Sequence, residues 1–186
     1  MKPAAIRWRS VHRPGTDGCA LEPTPTGARL VGSARYDAET GPARLEYRVA
    51  CDRAWRTLDA TVEGVLAGRG IRFELTRTED DLWKMNGAPV PAVRGCPDLD
   101  LGFTPATNLL AIRRLALAVG QAAAAPAAWL DVDAATLSVL PQRYDRRSAT
   151  TYWYEAPSVG YQALLEVDAD GFVTRYPGLW VAEPAP

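Results

Sequence analysis

Alternation of apolar and polar positions is the dominant pattern in this chain. Leu45, Tyr47, Val49 and Cys51 alternate with Glu46, Arg48 and Ala50. Leu58, Ala60 and Val62 alternate with Thr57, Asp59, Thr61 and Glu63. Ile71, Phe73 and Leu75 alternate with Arg72, Glu74 and Thr76, and Tyr161, Ala163, Leu165 and Val167 with Gln162, Leu164 and Glu166. Successive side chains of a strand point to opposite faces, so each run predicts a β-strand with one buried and one wetter face. Shorter strands are predicted within 6–12, 29–36, 82–85, 136–144, 150–155 and 172–176. Turn residues separate these runs: Glu39-Thr40-Gly41-Pro42, Ala67-Gly68-Arg69-Gly70, Asn86-Gly87 and Asp168-Ala169-Asp170-Gly171. Glycine supplies the positive φ that tight hairpins need. Short connections between successive strands predict an antiparallel meander that closes or rolls to protect its edges.

One segment breaks the pattern. Residues 108–119 read NLLAIRRLALAV, and from Leu109 to Val119 only Arg113 and Arg114 are polar. A helix apolar nearly all round belongs in an interior. Thr104-Pro105 can start it, with a threonine cap and proline at the first helical position, and Thr107 is a second cap candidate. The tract 120–126 ends it. The expectation is a mainly β fold: a many-stranded antiparallel sheet curled around one central helix at about 108–119. No linker or internal repeat stands out, which predicts one domain over residues 1–186.

Composition narrows the function classes. The chain has 186 residues, 47% hydrophobic and 23% charged, enough for a packed core without staples. Lys+Arg is 21 and Asp+Glu is 22, a net charge of −1. That excludes a non-specific nucleic-acid binder, which needs a basic surplus, but leaves room for a local basic patch. Cys19, Cys51 and Cys96 are odd in number and widely spaced, with no CxxC. They predict no disulfide framework or zinc site, and a reduced, cytoplasmic protein. The start, MKPAAIRWRSVHR, lacks a signal-peptide apolar run, and the alanine- and proline-rich run 121–130 is too short to span a bilayer. No integral membrane contact is expected. His12 is the single histidine, which excludes two-histidine zinc sites, and no nucleophile motif surrounds it. With no GxxxxGK[ST] and no GxGxxG after a strand, no cofactor and no metal are expected.

The densest polar cluster is residues 96–108, CPDLDLGFTPATN, followed by Arg113 and Arg114. On an extended segment Asp98 and Asp100 share a face, with Cα atoms roughly 6–7 Å apart. Two readings are open. A carboxylate can pair with Arg113 or Arg114 and anchor helix to sheet, because an unpaired buried charge is costly. Alternatively these groups line a cleft and hold a polar or anionic ligand head, for which guanidinium forks are suited. The carboxyl spacing also permits glycosidase-type acid–base chemistry. Cys96 lacks an identifiable activating base. Trp153 lies between Tyr152 and Tyr154, so that strand carries aromatics on both faces. These, with Trp55 and Trp83, either pack the core or form a sugar-stacking wall.

The stretch GCPDLDLGFTPATNLLAIRRL, residues 95–115, resembles the hallmark segment of the bacterial family called putative glycolipid-binding. The family pattern runs close to G-C-x-D-[VL]-D-L-x-x-[TS]-P-x-[TS]-N-x-L-x-I-R-R-L. Gly95, Cys96, Asp98, Asp100, Leu101, Thr104, Pro105, Thr107, Asn108, Leu110, Ile112, Arg113, Arg114 and Leu115 match it. Trp8-Arg9, Tyr47 with Asp52 and Trp55, Trp83 before Asn86-Gly87, Gln142-Arg143-Tyr144, and the stretch from Val167-Asp168 to Trp180 extend the resemblance along nearly the whole chain. Ala111 departs from the pattern where proline is expected. The early segment DGCALE lacks the expected glycine-glutamate pair, which puts any role of that glutamate in doubt here.

The resemblance implies a spiral β-roll, a half-barrel of about a dozen antiparallel strands around one helix, similar to the lipoprotein carriers of the Lol system. It also implies a small amphipathic ligand, a glycolipid or lipid-like molecule. The leading expectation is a binding protein whose β-roll cleft takes the apolar tail. Its polar head would lie near Asp98, Asp100, Asn108, Arg113 and Arg114, with Thr104, Thr107, Trp83 and Tyr154 completing the set. The alternatives are an enzyme acting on a sugar or lipid conjugate, with Asp98 and Asp100 as acid and base, and a module that pairs a partner along an open sheet edge.

Overall fold

The computed structural model describes residues 2–184. Eight strands come first: β1 (Ala4–Ser10), β2 (Gly15–Thr24), β3 (Gly27–Ala38), β4 (Gly41–Asp52), β5 (Thr57–Leu66), β6 (Arg69–Arg77), β7 (Trp83–Met85) and β8 (Ala88–Val90). Next are β9 (Asp98–Leu101), the helix α1 (Asn108–Leu115), β10 (Ala122–Ala124), β11 (Ala127–Asp131) and β12 (Thr136–Leu140). The chain closes with β13 (Arg143–Arg146), β14 (Thr151–Ala156), β15 (Tyr161–Val167), β16 (Val173–Tyr176) and β17 (Trp180–Ala182).

Fourteen strands form one antiparallel sheet in the order β10-β13-β14-β15-β16-β17-β1-β2-β3-β4-β5-β6-β7-β8. The first and last strands of the chain therefore pair in mid-sheet, Trp8 opposite Ala182. The ends β10 and β8 do not meet, so the sheet is an open roll and not a closed barrel. The hairpins follow from turn chemistry. Ala67-Gly68 (φ 50° and 78°) and Asn86-Gly87 (φ 51° and 80°) take the positive dihedrals of two-residue turns.

Burial follows the predicted alternation on β4, where Ala43, Leu45, Tyr47, Val49 and Cys51 are buried and Arg44, Glu46 and Arg48 exposed. β5 departs from it. Its register slips at one residue: Ala50 pairs with Asp59 but Cys51 with Thr57. Such a bulge reverses the facing of everything beyond it. Thr57 is buried and Leu58 is not, contrary to the sequence reading. Thr57 Oγ1 accepts the Leu99 N–H at 3.0 Å, tying the large sheet to β9.

Inside the roll sit α1 and a three-stranded sheet, β12-β11-β9, whose β9–β11 pair is parallel. The helix straddles two apolar cores. Leu109 and Leu110 pack with Leu99, Leu101, Tyr47 and Trp83, whereas Ala111 and Ile112 pack with Tyr144, Tyr154 and Leu165. α1 is shorter than predicted, ending at Leu115 and not at 119. Ala116 turns left-handed (φ 44°) and donates to the Ile112 carbonyl. Tertiary bonds claim the chain beyond it: Arg146 donates to the Leu117 carbonyl at 2.7 Å, and β10 pairs with β13. Thr107 holds the N-cap position but makes no side-chain cap bond; its hydroxyl accepts the Leu101 N–H at 3.2 Å. The stretch 136–144 is two strands, broken at Pro141-Gln142. Short strands such as these raise the total above the expected dozen. Among the described residues no helix is long and apolar enough to cross a membrane.

Candidate functional site

The residues marked by the sequence gather around α1, and their polar groups meet partners within the protein. Asp98 and Asp100 project from the same face of β9, as strand geometry requires. Asp98 is buried, and Arg114 grips it through Nε (2.9 and 3.1 Å) and Nη2 (2.7 Å). Burial raises the Asp98 carboxyl and the Arg114 fork holds it back. Asp100 accepts from Gln142 Nε2 at 2.7 Å, and burial pushes its carboxyl up to about 6. Asn108 donates to the Tyr144 hydroxyl at 2.7 Å. Tyr154 is buried among Tyr144, Tyr161 and Tyr176, with ring centroids 4.9–6.1 Å away. Trp83 is buried in the other apolar core, with Leu109 and Leu110, its indole donating to the Cys96 carbonyl at 2.9 Å. Arg113 is the more exposed helix arginine. It stacks over Trp55 and donates to the Asp170 carbonyl at 2.7 Å. Among the described residues, the Tyr36 hydroxyl is the single buried side-chain polar atom left without a partner.

Thr104 leads to an acid that the sequence reading missed. Its hydroxyl donates to the buried carboxylate of Asp17, and Tyr47 donates to the same carboxylate at 3.1 and 3.2 Å. No Lys or Arg bridges Asp17 among the described residues. Burial therefore dominates and pushes it up to about 7, against the hydrogen bonds from Thr104, Tyr47 and the Gly18 N–H. A signal was available. Asp17 lies in step with Cys19 and Leu21, so an acid sits on the apolar face of β2. Tyr47 reaches it across Gly32, where an added Cβ would fall 2.2 Å from the tyrosine ring.

The opposite face of the same strands carries a groove of about 730 Å³. Gly18, Ala20, Val31 and Ser33 line it from the outward register positions of β2 and β3, with Ala5 on β1. Arg7, Glu46, Arg48, Thr61 and Glu63 surround this small-residue floor, and Asp168 and Thr174 close one end. Gly18 keeps the floor low. A Cβ there would meet only Arg7 Cγ at 3.7 Å and the Ile6 carbonyl at 3.9 Å. Arg7 and Arg48 join no salt bridge among the described residues. Arg113 reaches the groove's end indirectly, through the Asp168–Gly171 turn whose Asp170 carbonyl it holds. A second depression of about 590 Å³ shares Ser33, Glu46 and Glu63 with the groove and continues over Arg35, Arg44 and Val65.

Comparison with known proteins places the chain. A family model described as putative glycolipid-binding matches residues 5–182. No curated protein matches it. Among solved structures, a DUF1089 family protein from Pseudomonas aeruginosa is 31% identical over 92% of this chain and 93% of that one, with a TM-score of 0.79.

Proposed function

The chain belongs to the family described as putative glycolipid-binding, and from that premise we propose that it binds an amphipathic ligand on the outer groove of β1–β5. The groove itself carries this reading. Its volume, about 730 Å³, falls within the range of small-molecule sites, and it sets an apolar floor beside unpaired polar groups. The tail lies along Ala5, Gly18, Ala20 and Val31. The head meets Arg7, Glu46, Arg48 and Thr61, whose guanidinium, carboxylate and hydroxyl groups together suit a sugar-bearing head. The segment 95–115 acts through the fold. Its polar groups are committed to internal bonds, and Arg113 touches the site only by fixing the turn at one end. The three buried thiols, unpaired in the structure, support a reducing, cytoplasmic setting.

Native mass spectrometry of protein purified from its own host, followed by organic extraction, tests the proposal. A stoichiometric amphiphile is expected, and Gly18→Leu, which fills the groove without meeting the core, should remove it while leaving Tm unchanged. An empty wild-type protein, unshifted in Tm by a glycolipid panel, would contradict it.

A further inference from the structure

Strand register aligns hydrogen-bond donors beside the groove. Arg9 on β1 lies opposite Thr16 on β2, Thr16 opposite Arg35 on β3, and Arg35 opposite Arg44 on β4. All four are exposed. Neighbouring strands are about 4.8 Å apart, so this row runs roughly 14 Å across the sheet. Like charges directly opposite one another destabilise a sheet, and Arg35 faces Arg44 without relief. Asp37 and Glu46 lie two residues along from Arg35 and Arg44, but none of the three arginines joins a salt bridge among the described residues. By contrast, the outward Arg72 on β6 is bridged to both Glu63 and Glu74. Arg35 and Arg44 line the second depression, which runs into the groove through Ser33 and Glu46.

We propose that this row is an anion platform for a phosphate on the groove's ligand, beside the part of the head that meets Arg7, Glu46, Arg48 and Thr61, and that the ligand is a phosphate-bearing amphiphile. The inference rests on the groove reading and adds the head's charge to it. Two guanidinium forks on adjacent strands can share one phosphate, each through paired N–H donors. The bound phosphate would supply the close ion-pair partner that Arg35 and Arg44 do not find in the nearby Asp37 and Glu46. A chain with net charge −1 has no general surplus to explain such a row.

Isothermal titration with three probes tests it: dodecyl phosphate, dodecyl maltoside and inorganic phosphate. Wild type should bind dodecyl phosphate more tightly than dodecyl maltoside, and more weakly as salt rises. Inorganic phosphate alone should bind far more weakly, since it gains nothing from the apolar floor. Arg35→Gln with Arg44→Gln should weaken dodecyl phosphate about tenfold or more and leave dodecyl maltoside unchanged. Both residues are exposed, and the double variant relieves a repulsion, so its Tm should hold or rise. Equal affinity of wild type for the two amphiphiles, or no effect of the double variant on dodecyl phosphate, would overturn the proposal. Inorganic phosphate binding as tightly as dodecyl phosphate would overturn it too, assigning the row to the free ion. Gly18→Leu separates the two claims. It should weaken both amphiphiles alike, and if it weakens neither, the groove reading fails.

Discussion

Asp17 is an acid pushed far from its ordinary behaviour. Its carboxyl is pushed up to about 7 in the fold from an ordinary value of 3.8, because it is buried without a cation. Between those values the native state keeps a proton that the unfolded chain has released. Stability should therefore fall as pH rises from about 4 to about 7 and level off above, by on the order of 4 kcal/mol. Asp17→Asn keeps the shape and stays neutral. Denaturant titrations should find it near wild type at pH 4 and more stable at pH 8, with the remaining slope below pH 6 left to Asp100, Asp98 and Asp168, which burial also raises. An unchanged slope would mean that Asp17 is ionised in the fold. Asp98 and Arg114 make the opposite case, a buried charge with its partner. Removing either alone should cost about 3–5 kcal/mol, and the double replacement less than the sum. Additive losses in a double-mutant cycle would argue against the coupling. The motif 95–115 was legible from residue types and spacing, and so was a bond between one of its carboxylates and a helix arginine, as Asp98 and Arg114 make; which residues pair was not. Spacing put both aspartates on one face, whereas the choice of Arg114 for Asp98 and Gln142 for Asp100 depends on where β13 and α1 come to rest.

At the scale of elements, most long strands were readable because period-two alternation records a single buried face. The ten-residue β2 was not, since Asp17 stands on its buried face and Gly18 and Ala20 on its outer one. The failures came where tertiary bonds override local pattern. The bulge at Leu58 exists because Ala50 pairs with Asp59 and Cys51 with Thr57, and no propensity at Leu58 announces it. α1 stops four residues short of its apolar run because Arg146 and β13 capture the segment beyond Ala116. Thr57→Val should leave the Leu99 N–H buried and unpaired, costing about 1–3 kcal/mol with little change in volume. Thermal unfolding of that variant reads the contribution of this tie between the large sheet and β9, and a Tm within error of wild type would dismiss it. Two glycines on adjacent strands give a sharper contrast. Gly32→Ala places a methyl against the Tyr47 ring and should lower Tm strongly, whereas Gly18→Leu points into open groove and should not.

For the whole molecule, the sequence points to a roll around a helix, and the chain has that form. The two readings of residues 95–115 diverge over the ligand's position. A site inside the roll would have to displace bonds already made by Asp98, Asp100, Thr104 and Asn108. A site on the outer face of β1–β5 displaces none. A long-chain glycolipid carrying a diazirine in its tail would decide between them by photocrosslinking and peptide mapping. The account predicts adducts on β1, β2 and β3, at or beside Ala5, Ala20 and Val31, and their loss in Gly18→Leu. Adducts concentrated on residues 95–115 or on Tyr154 would contradict it.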